Sequence, residues 1–510
     1  MLVLSIGKKR ELMMFLRMLV MTVWVVGIVT ILPSCGTSPG YNYTISGTVN
    51  GMIGSGLVLQ NNGGDDRAIT ANGAFTFNTA LNNGTAYSVT VKTQPTNPSQ
   101  TCAVLNGSGS MNGSPVSNVV VSCVMNSNPV TVDTLGKYAY VSTINTSAIA
   151  SYTIGASGAL TGITGVTAGT RPNPVTIISI GDPATQYAYV SNMGNETTLG
   201  TISVYTIQSD GVLSPGTTVD VGRYPSAVTV DPAGKFAYVA NMGSNSISAF
   251  KINQTTGALT DGTTANTENA PTSVTIDPLG KFAYAANMGS NSISVYTIDS
   301  TTGALSLSTV TPSVAAGTTP VSVTIYADSA KVAKFAYVAN MGSGSISVYT
   351  IDSTTGALTP GAAVAAGTSP MSVTIDTTGQ FAYASNMRSS NISVYTIDST
   401  TGALTAGTAA PTGTTSPNPV KIISIGTPAT QYAYVSSVVN STTPGIIFVY
   451  LINSDGSLTN IQMEQPFLTG ISLSTVTIDP IGPFAYVTNT SNGVVQAYQI
   501  GADGHLIAVP

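Results

Sequence analysis

Residues equipped for chemistry are scarce in this chain of 510 residues: 16 are Lys or Arg, 21 are Asp or Glu, and a single one, His505, is histidine. Beyond residue 128 stand three arginines, Arg171, Arg223 and Arg388, and three glutamates, Glu196, Glu268 and Glu464. A guanidinium offers a planar fork of donors suited to carboxylate or phosphate. A glutamate with a tuned pKa can serve as a base. These six are the candidate binding or catalytic set. Asp231, Asp277, Asp299, Asp352 and Asp398 form a row that resembles catalytic carboxylates. They stand, however, in "DPAG", "DPLG" and "DSTTGAL", where Asp caps backbone donors, Pro fixes φ and Gly closes the turn; they are read as turn formers. No phosphate loop and no His-based metal motif occurs, so neither a cofactor nor a metal is expected. Five methionines at matching positions, Met193, Met242, Met288, Met341 and Met387, could offer thioethers to a soft metal; the reading adopted is turn packing.

The elements that must position these residues come from a repeat. "FAYVANMGSNSIS" (Phe236–Ser248) has near-copies from Phe282, Phe335 and Phe381 and weaker ones from Tyr138, Tyr187, Tyr432 and Phe484. Aligning Tyr140, Tyr189, Tyr238, Tyr284, Tyr337, Tyr383, Tyr434 and Tyr486 gives spacings of 46 to 53 residues, a period of repeat arrays. Each unit holds four strand-like runs, in the third "SAVTVD", "FAYVAN", "ISAFKI" and "GALTDG", the pattern of a propeller blade. Along "FAYVA", Phe236, Tyr238 and Ala240 point one way and Ala237 and Val239 the other. Each strand thus has a bulky and a small face, and stacked blades can bury both. Burial on two faces explains why only 7% of residues are charged, against about 25% in ordinary soluble proteins. Eight first strands predict an all-β, eight-bladed propeller of four-stranded blades over residues 128–510, with seven blades as the alternative.

"YVAN" and "YVSN", in copies that open with "KFA" or "QYA", resemble the YVTN repeats of lactonase-like propellers, a group that includes 6-phosphogluconolactonase-type enzymes and many surface proteins. The resemblance implies a propeller, commonly seven-bladed, and a lactonase-like hydrolase as the activity, if there is one. Proposed sites in that group use His together with Arg and Glu. By analogy with WD-repeat propellers, loops after the second strand share a face with the loops joining blades. All six Arg and Glu candidates fall in such loops, and His505 does not. Without histidine there, no Ser–His–Asp set is possible on that face.

Upstream, Lys8, Lys9, Arg10 and Arg17 precede the apolar run 18–32, the layout of a signal peptide and short for a membrane span. "LPSCG" (Leu32–Gly36) resembles the lipobox of bacterial lipoproteins. It implies cleavage after residue 34 and a lipid on Cys35, with residues 35–40 as tether. The partner is then a membrane, reached through the lipid, and the expected location is the cell envelope, at the outer membrane. Residues 41–125 read as a small β-sandwich of short alternating runs, similar to the immunoglobulin-like segments placed before bacterial surface repeats. Beyond the inner membrane its two cysteines, Cys102 and Cys123, are expected to form a disulfide. The acidic balance, net −5, argues against nucleic acid. The reading as a whole is a lipid-anchored, monomeric binding scaffold for a protein, glycan or small molecule, with the lactonase-like hydrolase as the alternative.

Overall fold

In the third repeat unit Thr229–Val230, Phe236–Asn241, Ser246–Ile252 and Leu259–Asn266 pair in that order as one antiparallel sheet. We name these positions strands a, b, c and d. The alternation read in strand b decides what each face meets. Phe236, Tyr238 and Ala240 pack with Val274, Ala283, Ala285 and Tyr296 of the fourth unit. Ala237 and Val239 pack with Tyr187 and Tyr189 of the second. A bulky face therefore meets a small face at the interface between consecutive sheets.

The computed structural model describes residues 42–50, 56–71, 73–95, 101–124, 127–181, 185–194, 198–413, 416–427, 429–438, 445–464, 473–490 and 493–510. The expected signal peptide and Cys35 lie outside the described residues. From Thr131 to Ala508 the order a-b-c-d recurs in eight sheets, blades 1 to 8. In blades 4, 5 and 6 strand d is in two pieces, and in blade 7 strand a is, as Ser416–Pro417 and Lys421–Ile425. The eight sheets close into a ring. Val130, Ala139 and Val141 of blade 1 share a core with Tyr486, Ala497 and Val509 of blade 8, and Thr477 Oγ1 donates to the Val130 carbonyl at 2.6 Å.

The aligned tyrosines carry a second, directional contact. Tyr140, Tyr189, Tyr238, Tyr284, Tyr337, Tyr383 and Tyr434 are buried. Each donates its hydroxyl, at 2.7 to 3.1 Å, to the carbonyl of the glycine in the c–d hairpin of the next blade. Burial pushes the pKa of all seven phenols up, so they stay protonated donors. The glycine is also the floor under the first aromatic of strand b. At Gly303, φ is +75° and an added Cβ would lie 2.3 Å from Phe236 Cδ1. Only a residue without Cβ fits both the backbone and the ring. At the seam Phe484 of blade 8 lies over Gly158 of blade 1 in the same way, but among the described residues the buried Tyr486 hydroxyl has no hydrogen-bond partner.

Upstream, two four-stranded sheets sandwich one core. The first has the order Gly73–Thr76, Ile45–Asn50, Val116–Val124, Thr101–Leu105; the second has Asp65–Ile69, Leu57–Asn61, Ala86–Thr93, Ser108–Ser110. Ile45, Val49, Leu57, Leu59, Phe75, Phe77, Val119 and Val121 fill the space between them. Ile45–Asn50 and Val116–Val124 run parallel. Gly47 sits where an added Cβ would lie 2.0 Å from the Val119 carbonyl oxygen. Cys102 and Cys123 are register partners on adjacent antiparallel strands. Opposed Cα atoms lie about 4.5–5.5 Å apart in such a pair, within the span of a disulfide.

Two substitutions separate the hydrogen bond from the close approach. Tyr238→Phe should cost about 1 kcal/mol. Gly303→Ala should cost more, about 2–4 kcal/mol, because strain at positive φ adds to a clash with Phe236. Urea unfolding followed by tyrosine fluorescence checks the order; equal costs would mean that the glycine has no steric role.

Candidate functional site

The strand order puts the b–c hairpins and the d–a connections between blades on one face, and backbone bonds lock the two together. In blade 3, Met242 N donates to Tyr224 O and Gly243 N to Arg223 O, both at 3.0 Å. The methionine bond recurs from Met193 to Arg171, Met288 to Ala270, Met341 to Thr319 and Met387 to Ser369, at 2.8 to 3.1 Å. The accepting residue, Arg171, Tyr224, Ala270, Thr319 or Ser369, has φ between 49° and 58°, and proline follows it every time. Left-handed backbone at a residue other than glycine is costly, and the paired hairpin holds it in place. Neighbouring blades join the lock: Ala270 N donates to Asn245 Oδ1 and Thr319 N to Asn291 Oδ1, both at 2.8 Å.

On this rigid face the candidate charges sit in separate blades. Arg171 and Arg223 lie in the connections entering blades 2 and 3, and Arg388 in the b–c hairpin of blade 6; all three residues are exposed. Glu268, in the connection entering blade 4, is half-buried and accepts from Ser292 Oγ at 2.5 Å. Glu464 is not in a loop, as the sequence reading had it. It ends strand d of blade 7, at the outer rim, where Gln462 Nε2 lies 3.4 Å away. Glu196 lies outside the described residues. Among the described residues no ion pair joins any two of the set. The lone histidine is on the opposite face: His505 stands in the c–d hairpin of blade 8, with Nδ1 3.1 Å from Asp503 Oδ2. Among the described residues the face thus carries Arg171, Arg223, Arg388 and Glu268 in different connections and hairpins, without an imidazole among them.

The aspartate row is structural. Asp231 Oδ1 accepts from Lys235 N and Phe236 N, each at 2.6 Å, and Asp277 Oδ1 repeats this with Lys281 N and Phe282 N at 2.5 and 2.6 Å. Asp299, Asp352 and Asp398 each accept from the amides two and three residues on, at 2.8 to 2.9 Å. The methionines use their amides in the loop lock, and the described residues contain no cluster of three or more His, Cys, Asp or Glu able to hold a metal.

Sequence reasoning passed over the residues nearest the propeller axis. Thr131, Thr176, Thr229, Thr275, Thr324, Thr374 and Thr477 occupy one register position on strand a, each opposite the aligned tyrosine of its blade. Every one donates its hydroxyl to the carbonyl of a valine in the next blade, at 2.6 to 3.1 Å. Blade 7 has Lys421 at that position, opposite Tyr434. The signal was in the letters: "NPVTIISI" in blade 2 becomes "NPVKIISI" in blade 7.

The strand order and ring closure define a β-propeller. Residues 213–325 and 328–424 are similar to the family described as "Lactonase, 7-bladed beta-propeller". That match runs from strand d of blade 2 to strand a of blade 7; the ring described above has eight sheets. Among solved structures the Dos1 propeller is similar, with a TM-score of 0.51 at 12% identity over 74% of this chain and 93% of its own. The periplasmic gluconolactonase PpgL of Pseudomonas aeruginosa gives a TM-score of 0.49 at 17% identity, over 67% of this chain and 96% of its own. A Bacteroides fragilis protein described as a candidate 6-phosphogluconolactonase gives 0.49 at 21% identity, over 66% and 94%. No curated protein matches the chain.

The hairpin aspartates predict an acid limit to stability. Amides of Thr302, Thr355 and Thr401 hold the carboxyls of Asp299, Asp352 and Asp398 below the usual aspartate range. A carboxyl with a depressed folded pKa stabilises above its unfolded pKa and loses that contribution as pH falls through the folded one. The melting temperature should hold through neutral and mildly acidic pH, then drop as pH falls below the usual aspartate range, the drop being smaller in the triple Asp→Asn variant. An unchanged drop in that variant would move its origin elsewhere.

Proposed function

We propose that this protein is a binding scaffold of the bacterial cell envelope, with the face of b–c hairpins and d–a connections as its ligand surface. The observation that carries the reading is the loop lock. Five consecutive connections hold strained, left-handed residues rigidly, and two of them carry exposed arginines, Arg171 and Arg223. Rigid display of unique side chains on a repetitive frame is how scaffolds build a recognition surface. The separation of Arg388, Glu268 and Glu464 into other blades suits contacts spread over a protein or glycan better than chemistry at one bond. A lactonase-like hydrolase is the second reading, favoured by the family match over residues 213–424.

Lactone hydrolysis by the purified protein, over sugar-derived and simple lactones, distinguishes the two. The scaffold reading expects no turnover, and it expects glycan or protein ligands whose affinity falls about tenfold in Arg171→Ala/Arg223→Ala. Turnover abolished by Arg171→Ala, Arg223→Ala or Arg388→Ala, with folding intact, would make it a hydrolase.

The lipobox-like "LPSCG" supports anchoring through a lipid on Cys35, and the register of Cys102 with Cys123 supports a disulfide between them. Mass spectrometry of the membrane fraction under non-reducing conditions should find a diacylglyceryl-modified peptide beginning at Cys35 and a crosslinked Cys102–Cys123 pair. An unmodified Cys35 peptide, or free thiols at both sandwich cysteines, would remove the respective assignment.

A further inference from the structure

The inner strands of blades 7, 8 and 1 border a cleft of about 560 Å³ at the propeller axis, a volume in the range of small-ligand sites. Lys421 opens onto it beside Thr131, Thr475 and Thr477, with Val130 and Ile478 as apolar wall. No carboxylate lines it. Among the described residues Lys421 makes no ion pair. The aspartates that end the inner strands of blades 1 and 8 are engaged elsewhere. Asp133 accepts from Lys137 N and Tyr138 N at 2.6 and 2.7 Å and from Gln186 Nε2 at 2.8 Å, and Asp479 accepts from Ile481 N and Gly482 N at 2.8 and 3.0 Å.

The position itself sharpens the point. Seven of eight equivalent residues are threonines that staple their blade to the next. A lysine there gives up that hydrogen bond and sets an exposed cation in the cleft, among threonines and apolar side chains. The surrounding inner strands take some solvent from its ammonium and hold its pKa below the usual lysine value, while the residue itself stays open to the cleft. Nothing in the packing of blade 7 requires it, since the flanking Val420 and Ile422 keep their places in the core with blade 6.

The geometry points to a ligand site at the axis, in which Lys421 binds the carboxylate of a small organic acid and the threonine hydroxyls and apolar wall take its carbon body. One ammonium with no arginine fork and no loop of backbone amides matches a single negative charge; a phosphate dianion asks for more donors. Thr131 and Thr477 spend their hydrogens on valine carbonyls but keep oxygen lone pairs for a ligand hydroxyl. The site lies apart from the arginine face, so it stands or falls independently of the scaffold reading.

The test is calorimetric titration of the purified full-length protein in detergent with pentanoate and glycerate, their neutral amides and inorganic phosphate. Wild type and two variants are compared. Lys421→Thr restores the residue found in the other seven blades and is expected to fold. Lys421→Arg keeps the charge. Saturable binding of a carboxylate, absent for its amide, weakened at least about tenfold in Lys421→Thr and largely kept in Lys421→Arg, supports the site. No saturable carboxylate binding to wild type, or binding unchanged in Lys421→Thr, overturns it. Tighter binding of phosphate than of either carboxylate overturns the ligand class.

Discussion

The contact on which the ring depends is the one between the bulky face of each strand b and the next blade. An aromatic ring seats on a c–d hairpin glycine, and the following tyrosine reaches past it to that glycine's carbonyl, as Phe236 and Tyr238 do at Gly303. Area burial alone is non-directional and would allow neighbouring blades to slide. The hydroxyl fixes register between blades, and the missing Cβ fixes their distance. Loop geometry follows from this. Once blades are set at one spacing, every d–a connection has the same gap to cross, and the same left-handed residue before proline recurs to cross it.

Much of this architecture was legible in the sequence because it is redundant. The alternation in "FAYVA" gave both blade interfaces, and the turn chemistry of "DPAG" gave the role of Asp231, now seen accepting from Lys235 N and Phe236 N. Three-dimensional consequences of the ring were not legible. The threonine staples join residues 44 to 52 positions apart, and across the seam 347 apart. No local pattern signals such a bond. Asn192, Asn241, Asn287, Asn340 and Asn386 end strand b in full burial and donate to strand c hydroxyls.

The candidate site was legible to a lesser degree for a related reason. Rarity picks out residues that depart from a repeat, and it found the arginines. It ranks by residue type alone, however, and does not tell an axial position from a rim position. Glu464, rare and acidic, lies at the outer end of strand d. Lys421, one of several lysines, lies on the axis. Comparing copies position by position, rather than counting residue types, separates the two.

The two irregular staples flank the same blade. Between blades 7 and 8 the threonine position is taken by Lys421; between blades 8 and 1 the Tyr486 hydroxyl has no partner among the described residues. Blade 8 is still held by Tyr434 to Gly504, by Asn418 to the Leu473 carbonyl and by Thr477 to the Val130 carbonyl. Its joint with blade 7 also carries further bonds: Ser436 Oγ donates to the Ser474 carbonyl, Gln462 Nε2 donates to the Leu506 carbonyl at 2.9 Å, and Leu506 N donates to Gln462 Oε1 at 2.6 Å. Blade 8 is thus joined to its neighbours by a different set of bonds from the interior blades. The axial cleft is bordered by this blade and its two neighbours. A ring made wholly of identical joints would offer a ligand no preferred place to enter or to bind; this one departs from identity at its seam, and there it also places its one axial lysine.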